Sequence, residues 1–386
     1  MIESDHIASF EMTDIRLKVR GKNYSFCKAF DVTLELGAFC RTADITVADV
    51  YRKLAQEIRR GDPCMVECDN VKVLTGWVTD IDAGYESKSH DITISVASKT
   101  CDIVDCSCVL GKAQLDGMSA KEIIERICAP FKIKVIWNAP DFPAPDFNLT
   151  MGDKCGEIIE RICKKRHLTY TDDADGNLII TDLTQTTPAA TLYNPPSSKD
   201  GAVNILSGKA HYGSRDRYSE YIVVSQVEPS DKDEDGKVAF EQQGSAIDEA
   251  VTRYRPLIIV SGDEQDSEAD QASAAAIMMQ RLGASNDFEY EVNGWKAATG
   301  KYRGLVWMPG SFVNVEDEFG GVESNLVIKA ANLSISHESG RKSKLTLAPP
   351  QEFILGYTGK KGKKRSERWY DEDDYKKWVA EGGLKK

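Results

Sequence analysis

Apolar and polar residues alternate with a period of two through much of this chain, and at a few places the period lengthens to that of a helix. Over residues 1–100 the two-residue period dominates. Ile15–Arg20 (IRLKVR), Phe30–Leu36 (FDVTLEL) and Asp91–Ser98 (DITISVAS) each put every second side chain on one apolar face, the pattern of half-buried strands. Cys64, Val66 and Cys68 share a face in the same way. One helical stripe interrupts, with Val47, Val50, Tyr51, Leu54 and Ile58 on one side and Gly61 and Pro63 at its end. Strands packed around one helix predict a small barrel or roll.

The heptapeptide EIIERIC occurs twice, at Glu122–Cys128 and Glu157–Cys163, 35 residues apart. Each copy is the body of an amphipathic helix. Ala120, Ile123, Ile124, Ile127 and Cys128 fall at i, i+3, i+4, i+7 and i+8, and Cys155, Ile158, Ile159, Ile162 and Cys163 repeat the spacing. Glu122 with Arg126 and Glu157 with Arg161 stand as i,i+4 pairs on the outer faces. Ser119 and Glu122 form a capping-box pattern, Pro130 stops the first helix, and Lys164, Lys165 and Arg166 suit the negative end of the second. Both copies run on into an alternating strand, FKIKVIW and HLTYTDD, with Ile133 matching Leu168. The repeat is therefore a duplicated helix–strand unit. Two copies are too few for a solenoid. Glu125 and Glu160 lie on polar faces with no histidine or nucleophile beside them in sequence, so a packing element is the better reading than a paired-carboxylate site.

Asn138–Phe147 is a proline-rich connection, and Thr184–Gly201 (TQTTPAATLYNPPSSKDG) is rich in breakers and marks a domain boundary. Strands then resume at AVNILSGKAHYG and Tyr218–Val227. A polar loop follows over 228–249, and an apolar strand within Arg253–Val260. Ser267–Leu282 is alanine-rich and helical, with Ser267 and Asp270 as its N-cap pair, and further strands follow in FEYEVNGW, SFVNVED, NLVIKAANLSIS and KLTLAPP. A fainter echo links Tyr85–Val96 with His337–Ala348. Each is a polar turn leading into an alternating strand, preceded at similar distance by MVECDN or VNVEDE. The echo predicts two related β-barrels.

Composition narrows the function. The net charge of −12 disfavours coating a nucleic acid, whose phosphates repel an acidic surface. The basic cluster Lys360–Arg365 reads as a solvated linker. No apolar run is long enough to cross a bilayer, and the N-terminus lacks a basic-then-apolar signal, so the expected starting compartment is a cytosol. All ten cysteines precede residue 164 without a C-x2-C pair, which fits reduced core thiols rather than a metal site. Cys106 and Cys108, two apart, read in the same way. Asp231–Gly236 opens like a calcium loop, but its twelfth position is Gln242 in place of glutamate, and the segment before it reads as strand. Asp172–Asn177 reads as a turn. His6, His90, His167, His211 and His337 are scattered, and core packing accounts for Trp77, Trp295 and Trp307. No P-loop, HExxH or GxSxG motif occurs, and no residue is singled out as catalytic, cofactor-binding or metal-binding. The chain is read as having no enzymatic activity.

Several stretches, taken together and in order, resemble the baseplate hub proteins of contractile-tailed phages, the Mu-like tail protein P family related to the late control protein D group. They are Val73–Ile81, Val96–Ser107, Arg217–Val224, RYRPLIIV, Tyr290–Trp295 and Gly304–Asp317. The resemblance implies an α+β, β-rich multidomain fold of two small β-barrels plus two α/β domains, one inserted in the second barrel. Residues 1–97 would be the first barrel and 98–198 the α/β domain with the duplicated unit. Residues 199–262 and 304–350 would be the split second barrel, 263–303 the inserted α/β domain, and 351–386 a charged tail.

It further implies a structural role without cofactors. A homotrimeric ring of six barrels would adapt a sixfold tail tube to a threefold central spike and form part of the DNA channel. The net charge of −12, rather than the resemblance, adds the expectation of an acidic lumen that repels DNA and lets it slide. The implied partners are the chain itself, a tail tube or tube-initiator protein, the central spike and other baseplate proteins. DNA is met only in passage, and no membrane is involved. The implied locations are the host bacterial cytoplasm during assembly and then the virion tail baseplate. Two other readings stay open on the sequence. One is a cell-wall glycan-binding module of a tail protein, built on the duplicated units. The other is the hub portion of a type VI secretion-like spike, for which a long β-helical extension is expected beyond the end of this chain.

Overall fold

A computed structural model of the chain describes residues 15–353 apart from 25–27, 49–56, 69, 86–89, 111–114, 116, 145–151, 165, 167, 184–187, 198–202, 226–242, 262–266, 297–305 and 337–339. The first unit consists of β1 (Ile15–Val19), β2 (Lys22–Tyr24), β3 (Ala29–Glu35), β4 (Thr42–Ala48), β5 (Pro63–Cys68), β6 (Val71–Tyr85) and β7 (His90–Ser98). Their spatial order is β3-β4-β7-β6-β5-β1-β2. The alternation has its expected effect. Ile15, Leu17 and Val19, then Phe30, Val32 and Leu34, then Cys64, Val66 and Cys68 all enter one core. The helix expected from Val47 does not start there. Val47 continues the alternation of Ala43 and Ile45 and pairs with Ile92 of β7, so a β-branched residue that fits both periods is held by the sheet. The rest of that stripe up to 56 lies outside the described residues.

The second unit holds α1 (Cys101–Asp105), α2 (Ala120–Cys128), β8 (Val135–Asn138), α3 (Cys155–Lys164), β9 (Thr169–Asp172) and β10 (Leu178–Thr181). Each EIIERIC is a helix followed by a strand, as its spacing predicts. β10 lies between the two strands of the repeat, parallel to β8 and antiparallel to β9. Both apolar stripes are buried in one core, where each fully buried isoleucine contributes about 1.5–3 kcal/mol relative to exposure. The Ser119–Glu122 capping box is complete, and Pro130 turns the end of α2 into a 3-10 turn closed by Lys132 at φ 56°.

The expected outer-face ion pairs do not form. The Glu122 carboxylate instead accepts from the Ser119 N–H at 2.9 Å, and Arg126 lies over the Met118 sulfur. Arg161 pairs with Asp153 at 2.7 Å, and Glu157 accepts from the Lys154 N–H. A helix N-terminus with unsatisfied N–H groups holds a carboxylate more firmly than an exposed arginine does.

The third unit begins with a strand where breakers predicted a boundary. β11 (Pro188–Asn194) buries Ala189, Ala190 and Leu192, and Pro188 is tolerated as its first residue. β12 (Val203–Tyr212) follows. β16 (Asn286–Asn293), β17 (Phe312–Asp317), β18 (Val322–Ser336) and β19 (Gly340–Ala348) complete a closed ring, in the order β11-β12-β16-β19-β18-β17 and back to β11. The expected division of this region is thereby corrected. FEYEVNGW is β16, a barrel strand between β12 and β19, and is not part of an insert.

The inserted sheet is instead β13 (Glu220–Ser225), β14 (Gln243–Ile247) and β15 (Pro256–Ser261), in the order β14-β13-β15, covered on one face by α4 (Ser267–Ala284). β14 lies inside the stretch expected to be loop. Its Gln-Gly-Ser-Ala-Ile sequence lacks the large alternating residues that mark a strand. The Ser267–Asp270 cap falls where side chains are outside the described residues. No helix among the described residues is long and apolar enough to cross a membrane.

Candidate assembly interface

Two parts of the chain repeat each other in three dimensions. β5, β6 and β7 are 6, 15 and 9 residues long and form an antiparallel meander, and β17, β18 and β19 repeat these lengths and this pairing. Both long strands carry a bulge at the same place, and β6 has a further one at Val73 against β5. Thr79 is extra between Val78 and Asp80, and Lys329 between Ile328 and Ala330. Each meander is entered through a glycine in the left-handed region, Gly61 at φ 83° and Gly310 at φ 81°. Gly61 N–H donates to the Val78 carbonyl at 2.7 Å, and Val78 N–H donates to the Asp62 carbonyl at 3.0 Å. Gly310 and Ser311 make the same two bonds with Ile328, both at 2.9 Å. The surrounding strands keep the same order, β3-β4-β7-β6-β5-β1 in one unit and β12-β16-β19-β18-β17-β11 in the other. The sequence echo between 85–96 and 337–348 is the visible part of this duplication. Among the described residues only the second ring closes on itself.

The two units are joined edge to edge. β18 is long enough to serve two neighbours on one side: Val322–Val327 pairs with β17, and Ala330–Ser336 pairs antiparallel with β3. Along this seam Ala331, Leu333 and Ile335 meet Leu34, Val32 and Phe30 on the buried face. On the other face the Asn332 side-chain amide donates to Asp31 at 2.7 Å and to the Thr33 hydroxyl at 3.2 Å. Burial pushes the Asp31 carboxyl above its ordinary range, which the Asn332 bond partly offsets. Trp295 packs on Phe30 with centroids 6.0 Å apart, and the Arg341 guanidinium lies over the Trp295 ring at 5.5 Å.

The second unit is bolted to the first by Arg41 and Asp172, both almost fully buried. Arg41 Nε–H donates to the carboxylate at 2.8 Å, one terminal nitrogen donates to the Val73 carbonyl at 2.7 Å, and the other to the Asp172 carbonyl. Phe39 stacks on Tyr170 at 4.1 Å, and Gly37 N–H donates to the Tyr170 carbonyl at 2.7 Å. A second buried bidentate pair, Arg217–Asp248, holds the insert's β13 and β14 ends together. No period marks a buried arginine, and its partner lies 131 residues away in sequence for Arg41. Sequence reasoning therefore missed these joints.

The motifs that could carry chemistry are accounted for by structure. Glu125 and Glu160 pair with Lys121 and Lys164 along their own helices, at 4.0 and 2.7 Å. Asp173 closes a turn by accepting from the N–H groups of Asp175 and Asn177, with Gly176 at φ 72°. Cys64, Cys128 and Cys163 are buried, and burial pushes each thiol up to about 12. Cys106 and Cys108 are half-buried rather than enclosed, beside Cys155, whose thiol burial raises to about 11. Among the described residues no group of three His, Cys, Asp or Glu side chains could hold a metal ion. Trp295 and Trp307 lie in the core and Trp77 is half-buried. His90 stacks on Tyr85, and the segment with Asp231–Gly236 lies outside the described residues, as do His6, His167 and His337.

Three family models match successive parts of the chain. The N-terminal domain of "Mu phage baseplate assembly protein GpP-like" matches residues 14–96, the second domain of "Baseplate hub protein gp44-like" matches 100–182, and the fourth domain of "Mu phage baseplate assembly protein GpP" matches 268–356. The chain is similar to baseplate hub protein gp44 of Escherichia phage Mu. The two are 27% identical over 291 residues, which cover 73% of this chain and 74% of that protein. Among solved structures it is similar to the 43 kDa tail protein of prophage MuSo2 from Shewanella oneidensis, with a TM-score of 0.74 and 25% identity over 89% of this chain and 99% of that one. It shares the fold of the tail protein from Neisseria meningitidis MC58, with a TM-score of 0.73 and 19% identity over 88% and 99% of the two chains.

Proposed function

Since this chain is built of the domains of the Mu-like baseplate hub proteins and belongs to that family, we propose that it is a structural hub of a phage tail baseplate in which three copies close a ring of six barrel-like units. The observation that carries this reading is the duplication. One chain presents two meanders of equal strand lengths, with the same bulge and the same entering glycine, already joined side by side. Three such pairs in cyclic array have threefold symmetry by chain and an approximate sixfold symmetry by unit. That is what a connector between a sixfold tube and a threefold spike requires. The partners in this reading are further copies of the chain, a tail tube or tube-initiator protein, the central spike and neighbouring baseplate proteins, with DNA passing through the lumen. Assembly in the host cytoplasm followed by residence in the virion baseplate belongs to the same reading.

The duplicated EIIERIC units act here as scaffold. Their apolar faces are spent on their own core, and their glutamates on lysines and caps. Light scattering behind gel filtration tests the ring. The expected mass is about 128 kDa, three times the 42.7 kDa of the chain. A monomer at every concentration would overturn self-assembly of the ring.

A further inference from the structure

The duplication makes one prediction about surfaces that the chain itself leaves uncovered. In the second unit, β18 gives one side of its C-terminal half to β3. The matching half of β6, from Thr79 to Tyr85, pairs with β7 on one side, and on the other it pairs with no strand among the described residues. The counterpart of β3 is β12, since each pairs with the strand that follows it in the spatial order, β4 or β16. β12 is engaged by β11 only at Val203 and Asn204, and its outward edge over Ile205–His211 pairs with no strand among the described residues. Among the described residues the molecule thus carries one copy of a strand-to-strand seam in use and both halves of a second copy not in use. The two unused halves are in different units, β6 in the first and β12 in the second.

We infer that the Ile81–Tyr85 edge of β6 takes the Gly208–Tyr212 edge of β12 from a second copy of this chain, antiparallel, in the register of the β18–β3 seam. This rests on the ring reading above and names the contact that would close the ring. Superposing the repeats on their bulges and pairings fixes the register. Asp80 matches Ala330, and Phe30 and Val32 match Gly208 and Ala210. Ile81 then faces Tyr212, Asp82 faces His211, Ala83 faces Ala210, Gly84 faces Lys209, and Tyr85 faces Gly208.

The side chains agree with this register. Tyr85 is 78% exposed in the single chain. It would lie across from Gly208, whose position leaves no room for a side chain of its own, because a Cβ there would meet the Tyr290 ring at 2.8 Å. On the outward face the exposed Asp82 of β6 lies across from the exposed His211 of β12 and diagonal to the exposed Lys209, so a carboxylate meets an imidazole and an ammonium within reach of cross-strand pairing. An open edge is a template for pairing with another chain, and here the fold supplies an edge of matching length. The contact joins two different faces of each chain, as a closed cyclic assembly needs.

Cysteine cross-linking of the full chain tests the register. Asp82→Cys/His211→Cys and Ala83→Cys/Ala210→Cys are adjacent pairs, one hydrogen-bonded and one not, so one of them has geometry suited to a disulfide. Asp82→Cys/Ser207→Cys places the thiols four residues out of register and serves as the control, with each single variant as background. Under mild oxidation at least one in-register pair is expected to convert the chain into a disulfide-linked trimer on non-reducing gels, and the control is expected not to. A 128 kDa assembly by light scattering with neither in-register pair linking, or with the control linking equally, would overturn the edge pairing and leave the ring reading standing. Linked dimers that never close would support the edge and overturn the three-copy ring. A monomer in every variant, with no cross-link, would overturn both.

Discussion

Replacing Arg41 with alanine should loosen the joint between the first unit and the helix–strand unit. The Arg41 side chain is 1% exposed and that of Asp172 is 3% exposed, so neither charge is solvated by bulk water. In the intact chain the guanidinium donates to the Asp172 carboxylate, the Asp172 carbonyl and the Val73 carbonyl. Without it the carboxylate keeps the Arg41 backbone N–H at 3.2 Å and the Thr100 hydroxyl at 3.4 Å, and both carbonyls lose a donor. Breaking a buried pair on one side costs about 3–5 kcal/mol, whereas replacing both partners with apolar residues of similar volume can be near neutral. With a urea slope of about 2 kcal/mol/M, the transition reporting this joint should fall by roughly 2 M in Arg41→Ala. Urea titration followed by tryptophan fluorescence, with Trp77 and Trp137 in the two units concerned, reads it. In Arg41→Met/Asp172→Leu most of the loss should be recovered. A shift corresponding to under about 1 kcal/mol in the single variant would refute the argument, as would a double variant no better than the single.

Gly76→Ala should destabilise the first unit by about 1–3 kcal/mol or more, because the added Cβ would sit 1.8 Å from the Ala97 carbonyl oxygen, on backbone that cannot rotate away; thermal unfolding checks it. Ser119→Ala removes half of the capping box of α2 and should cost about 0.5–2 kcal/mol, with Glu122→Ala giving a comparable loss in the same titration. The buried thiols predict an alkaline limit. Burial raises Cys128 and Cys163 to about 12 and Cys155 to about 11, from an ordinary value of 9.0. Their contribution to stability is therefore full below pH 9.0 and is lost as pH rises from there through the raised values. Urea midpoints should fall between pH 8 and pH 10.5 by more than in a variant with all three changed to alanine, and equal falls would contradict the linkage.

The sequence by itself determined the local elements. A two-residue period with β-branched and apolar residues on one side can bury that side only as a strand, and the i, i+3, i+4 spacing in both EIIERIC copies can bury its stripe only as a helix. Ser119 and Glu122 fixed where the first helix begins, because the cap is made within four residues. The faint likeness of 85–96 to 337–348 falls on β7 and β19, which hold the same place in the two units.

The tertiary structure decided which strands pair, and with it which unit each element joins. β16 and β15 both read as apolar strands, yet β16 lies in the barrel and β15 in the insert, because strand order depends on edges brought together from far along the chain. Val47 fits either period, and its neighbour Ile92 in β7 settles it as strand. β11 reads as a connection until β12 and β17 are placed on its two sides. The Arg41–Asp172 joint and the β3–β18 seam are formed by residues 131 and about 300 positions apart, where no period or spacing carries information. Such contacts are set by what remains buried and unpaired once the local elements have formed, and only the assembled fold defines that remainder.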